Sequence, residues 1–178
     1  MFIISLHSLK IKTMREKTLI VYYSATGNTQ TIAERIQKAT GFEMVRLETK
    51  IPYPKDYYKM VSQGEEEVNN RFKPELKPLQ VNVSDYSKII VGTPTWWYSM
   101  APAMLSFLSI QKWKGKTVIP FMTNAGWPGH VIDDMKAVCE GASFMHEKEI
   151  RFSASEDSRN QMKSSESEIK KWIDSLNE

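Results

Sequence analysis

Short apolar runs alternate with longer amphipathic stretches along the chain, and turn-forming residues separate them. Thr18–Tyr23 reads as a strand, and Ile32, Ala33 and Ile36 follow at helical spacing, so a helix is predicted over about Asn28–Ala39 with Gly41 as its stop. Glu43–Leu47 predicts a second short strand. Ile51-Pro52-Tyr53-Pro54 reads as a rigid connection into a helix from near Asp56 to about Asn70, and Pro74 and Pro78 mark an extended return. Lys88-Ile89-Ile90-Val91-Gly92 and Thr117–Met122 are apolar enough to be strands covered on both faces. Ala103–Ile110 predicts a helix with Pro102 near its first turn, and Val131–Cys139 predicts another. Ser143–Phe152 contains a fifth strand, and Glu166–Leu176 is an amphipathic helix with Ile169, Trp172, Ile173 and Leu176 on one face. Five strands alternating with five helices predict an α/β fold, a doubly wound parallel sheet with helices on both faces. Ligands of such sheets sit beyond the carboxyl ends of the strands, so the loops after the first, third and fourth strands are where chemistry is expected.

The first of these loops reads Ser24-Ala25-Thr26-Gly27-Asn28-Thr29 and opens directly onto a helix N-terminus. Unpaired backbone N–H groups and the positive end of the helix dipole converge there, which suits a phosphate monoester. Ser24, Thr26 and Thr29 offer hydroxyls, Asn28 an amide, and Gly27 lets the backbone close on a ligand. An ordinary helix cap, with Thr26 or Asn28 satisfying the amides, is the competing explanation. No Lys or Arg lies between Ser24 and Thr31, so the loop would hold an anion with neutral dipoles. The second glycine and the lysine of a P-loop are missing, and so are the three glycines of a dinucleotide fingerprint.

The loop after the third strand, Thr93-Pro94-Thr95-Trp96-Trp97-Tyr98-Ser99-Met100, carries three consecutive aromatics. Neighbouring side chains in an irregular segment point in different directions and are hard to bury together. A flat aromatic ligand explains them, since offset stacking adds about 0.5–1.5 kcal/mol per pair. Packing of one Trp on the following helix is the plainer alternative. The loop after the fourth strand, Thr123-Asn124-Ala125-Gly126, is small and polar and suits hydrogen bonds to a heteroaromatic edge.

Together, Thr26–Thr29, Gly92-Thr93-Pro94-Thr95-Trp96-Trp97 and Pro120–Gly126 resemble the flavodoxin family, in particular a branch with a Trp-Trp loop and a Tyr-Pro-x-Asp-Tyr segment, here Tyr53–Tyr57. The similarity runs from about Lys17 to Leu176. It implies a five-stranded sheet in the order 2-1-3-4-5 and FMN as cofactor. The phosphate would lie in Ser24, Ala25, Thr26, Gly27, Asn28 and Thr29. Trp96 falls where the family stacks an aromatic on the flavin ring, with Pro94, Thr95, Trp97 and Tyr98 around it and Thr123, Asn124, Ala125 and Gly126 toward the pyrimidine side. Many flavodoxins place a glycine after the stacking aromatic; here Trp97 stands there, and a positive φ at a Trp is unfavourable. The resemblance implies an electron-transfer protein that shuttles electrons between redox partners. An FMN-dependent NAD(P)H or quinone oxidoreductase is the second reading, because the Trp97-Tyr98-Met100 rim is apolar, and a non-redox binding protein is the third.

Composition narrows the picture further. The 178 residues, 41% hydrophobic and 25% charged, suit one domain with an adequate core, expected over 17–178. Residues 1–16 read as an N-terminal extension, with Met14-Arg15-Glu16-Lys17 as an alternative start. The formal charge of +3 is too mild to point to nucleic acid, and Lys10 and Lys12 of the extension supply two of those charges. No apolar run approaches the ~20 residues of a membrane span. A single cysteine, Cys139, fits a reducing cytoplasm and a buried apolar role. No His/Cys/Asp cluster has metal-ligand spacing, and the adjacent carboxylates of a phospho-receiver are missing after the first strand. His130, at the start of a helix beside the fourth-strand loop, is a candidate for substrate contact or proton transfer, against the plainer role of a solvent-facing polar residue.

Overall fold

The computed structural model describes residues 17–177; the extension expected over 1–16 lies outside the described residues. Strand β1 (Thr18–Tyr22) leads into α1 (Asn28–Thr40), followed by β2 (Glu43–Arg46) and α2 (Tyr57–Asn69). β3 (Lys88–Trp96) and β4 (Ser99–Met100) precede α3 (Pro102–Ile110), β5 (Thr117–Asn124) and α4 (Val131–Val138). β6 (Ser143–Phe144), β7 (Lys148–Arg151) and α5 (Glu166–Ser175) complete the order.

The sheet runs β2-β1-β3-β5-β6, with β7 also on β5 and β4 on β3. All pairs are parallel except β3–β4. The expected order of strands therefore stands, but the sheet has seven strands where five were expected. One extra strand arises because the edge strand is broken. β5 advances from Val118 to Phe121 while its partner advances from Phe144 to Lys148, leaving one residue over. His146, at φ 51, takes up that bulge. The other is β4, which folds back on β3 after a tight turn. β3 and β5 also run further than their apolar cores suggested, keeping register as far as Pro94 with Thr123.

Strand periodicity divides the core in two. Leu19, Val21, Ile89, Val91, Val118 and Met122 pack on one side with residues of α3 and α4, whose Ala103, Met104, Phe107 and Met135 are fully buried. Ile20, Tyr22, Ile90, Ile119 and Phe121 pack on the other with Ile32 and Ile36 of α1 and Ile169, Trp172 and Ile173 of α5. Gly92 of β3 is required by this packing, because a Cβ there would lie 2.1 Å from the Phe121 ring. The two layers hold β1, β3 and β5 rigidly, and the loops at their carboxyl ends converge on one crevice.

Candidate functional site

The first loop places its groups around an open helix end. Gly27, at φ 100, is the residue before α1, and no side chain caps the helix. The ordinary-cap explanation for Thr26 and Asn28 is therefore not what the fold adopts. Ser24 is buried, and its Oγ accepts from Gly27 N–H at 3.2 Å. Arg46 of β2 donates to the Ser24 carbonyl at 2.9 Å, which holds the loop from behind. Thr29 reaches across the crevice, and its Oγ1 lies 2.8 Å from Oγ1 of Thr123, both residues buried.

The aromatics do not share one environment. Trp96 ends β3 and packs edge-on against Tyr53 and Tyr23, with ring centroids 4.9 and 5.9 Å away. A Cβ on Gly64 of α2 would come within 2.8 Å of the Trp96 ring, so the mid-helix glycine makes the seat for that indole. Tyr53 donates its hydroxyl to Glu67 at 2.5 Å, and burial raises the acidities' threshold of both Tyr53 and Tyr23, pushing each pKa well above the usual phenol value. Trp97 and Tyr98 form a two-residue turn between Trp96 and Ser99 at φ 46 and 65. Trp97 donates its indole N–H to the Val61 carbonyl at 3.0 Å.

In the loop after β5, Asn124 Oδ1 accepts from Gly126 N–H at 2.7 Å and its amide donates to Glu149 at 2.9 Å. That side chain is thus committed to shaping its own loop. Gly126 turns at φ 112 toward Arg151.

A cavity of about 540 Å³ joins these loops. Of the expected residues, Ser24, Ala25, Thr26, Asn28, Thr29, Pro94, Thr95, Trp96, Trp97, Tyr98, Thr123, Asn124 and Ala125 line it, while Gly27 and Gly126 shape the loops from outside the lining. His130 is not in the lining either; its ring pairs with Asp134 at 2.5 Å. Further residues line the cavity beyond the site residues expected from the sequence. Tyr57, Met60, Val61 and Gly64 come from α2, Trp127 from the β5 loop, and Ser153, Ala154, Glu156 and Arg159 from the segment after β7. Gly64 inside a helical pattern was a usable signal, whereas Arg159 had none. The expectation of purely neutral dipoles concerned the loop alone; Arg159 adds a cation to the lining of the same cavity, and its carbonyl accepts from Asn28 Nδ2 at 3.2 Å. Among the described residues, no cluster of three or more His, Cys, Asp or Glu side chains could hold a metal ion.

The flavodoxin family model matches residues 17–176. The chain belongs to the flavodoxin family. Among solved structures, the chain is similar to a provisionally assigned flavoprotein from Bacteroides eggerthii DSM 20697, at 27% identity over 91% of this chain and 98% of that one, with a TM-score of 0.70. A flavoprotein from Lactobacillus acidophilus NCFM in complex with FMN shares the fold at 24% identity, 74% and 91% coverage and a TM-score of 0.65. A WrbA-like flavodoxin from Agrobacterium tumefaciens shares it at 13% identity, 92% and 94% coverage and a TM-score of 0.59. No curated protein sequence matches the chain. No helix among the described residues is long and apolar enough to cross a membrane.

Proposed function

We propose that this protein binds FMN in the crevice and passes electrons between redox partners. The observation that carries the reading is the division of one cavity into two chemistries. One end has the uncapped N-terminus of α1 with the hydroxyls of Ser24, Thr26 and Thr29, and the other has Trp96, Trp97 and Tyr98. A single phosphate joined to a flat ring matches both ends, and about 540 Å³ falls within the roughly 300–1,000 Å³ of small-ligand sites. Bound FMN supplies the redox chemistry. The protein would hold the phosphate with the α1 dipole and the loop hydroxyls and wall the ring with aromatics. Thr123, Asn124 and Ala125 line the same cavity, where their polar groups would orient a heteroaromatic edge.

A specific feature favours a second reading, an FMN-dependent NAD(P)H or quinone oxidoreductase. Trp97, Tyr98 and Trp127 line the cavity and remain 41%, 55% and 58% exposed, so they give it a broad aromatic rim, whereas Met100, expected on that rim, is buried and does not line the cavity. Such a rim suits a planar neutral substrate as well as a protein surface. Anaerobic reduction of the FMN-loaded protein separates the two. A carrier stays oxidised with NAD(P)H alone and is reduced once a partner reductase is added. Steady turnover of NAD(P)H and a quinone with no added reductase contradicts the carrier reading.

A further inference from the structure

We infer that Arg159 makes the crevice selective for a phosphorylated flavin, its guanidinium pairing with the phosphate that α1 receives. The inference rests on the FMN reading above and names the residue that reads the phosphate. Asn28, the first residue of α1, donates its amide to the Arg159 carbonyl at 3.2 Å, which ties position 159 to the helix end. The Arg159 guanidinium carbon lies 4.2 Å from the ring centroid of Tyr57, the first residue of α2. Arg159 and Tyr57 line the crevice cavity together with Ser24, Ala25 and Thr26, and the same five residues line a second cavity on the Arg46 side of the loop. The arginine therefore stands beside the phosphate loop.

Its chemistry fits an oxyanion. A guanidinium stacked on an aromatic face keeps its in-plane N–H donors available for bidentate pairing. Its ion pair with Glu156 is loose, 3.8 Å, and the Glu156 side chain is 74% exposed, so water screens it and little charge is neutralised. The Arg159 side chain is itself only 33% exposed, which strengthens its field toward the cavity. The positive end of α1 and this cation thus act on one anion from two elements. The ring walls at Trp96–Tyr98 involve none of these groups, so Arg159 acts on FMN and not on riboflavin.

The test is a fluorescence titration of wild type, Arg159→Gln and Arg159→Lys with FMN and with riboflavin, each at low and high salt. Wild type is expected to prefer FMN, with the preference shrinking as salt rises. Arg159→Gln should weaken FMN about tenfold or more, leave riboflavin within about twofold, and flatten the salt dependence; Arg159→Lys should fall between. Unchanged FMN affinity in Arg159→Gln, or equal loss for both flavins, overturns the inference. If Arg159→Gln does not fold, a wild-type FMN preference that ignores salt overturns it equally. Failure of wild type to bind either flavin instead overturns the FMN reading itself.

Discussion

The backbone N–H of His130 donates to the Tyr98 carbonyl at 2.8 Å and pins a turn that its own residues disfavour. Trp97 and Tyr98 occupy the two central positions of a hairpin turn at positive φ, where Asn-Gly is the usual choice and an L side chain costs roughly 1–2 kcal/mol. Four further contacts hold it. Ser99 donates to Asp134 at 2.6 Å, the His130 ring lies 2.5 Å from the same oxygen, Trp97 donates to Val61, and Ala101 N–H donates to Thr93 at 3.1 Å. Such overdetermined strain is characteristic of ligand clamps.

Gly129→Ala should break that clamp. A Cβ at 129 would lie 2.0 Å from the Tyr98 carbonyl oxygen, and Gly129 sits at φ 60. A loss of roughly 3 kcal/mol is expected in urea unfolding, with weakened FMN binding in the protein that remains folded.

Tyr98→Gly should do the reverse for stability. Tyr98 is 55% exposed, so relief of its positive φ outweighs lost packing, and a gain of about 1 kcal/mol is expected from denaturant midpoints. Trp97→Gly should give no such gain, because the Val61 hydrogen bond goes with the indole.

Thr29 and Thr123 should prove coupled. Each is buried and the other is its hydroxyl partner, so Thr29→Val or Thr123→Val alone leaves an orphaned group and costs about 1–3 kcal/mol. The double Val variant should lose less than the two single losses combined, as read from a double-mutant cycle.

Stability should be flat from pH 7 to about pH 9 and fall as pH rises toward 12. Burial pushes the Cys139 thiol from 9.0 up to about 12, and the hydrogen bond to Glu43, then burial, pushes Tyr86 from 10.0 up to about 12. Burial foremost also raises Tyr53 and Tyr23. These acids ionise in the unfolded chain before the folded one, so their contribution is intact below the unfolded values and is lost as pH climbs to the folded ones. Urea midpoints across pH 7–12 check this.

Most of the sheet was legible because β1, β3 and β5 are buried on both faces and read as continuous apolar runs. Alternation then predicted where the loops meet, and thirteen expected residues do line one cavity. The β3–β4 hairpin was not legible, since Trp97-Tyr98 contradicts the residue preferences of its own turn; only contacts with Gly129, His130 and Val61, distant in sequence, allow it. The break between β6 and β7 at His146 has the same character. Arg159 escaped notice because its relation to Asn28 spans 131 residues and follows no local period.

The most direct test of the account is a titration of flavin-free protein with FMN, followed by flavin fluorescence and the visible spectrum. Saturable quenching at one FMN per chain is expected, lost when Trp96 is replaced by Ala and the ring wall is opened. Protein that stays colourless and leaves FMN fluorescence unchanged contradicts it.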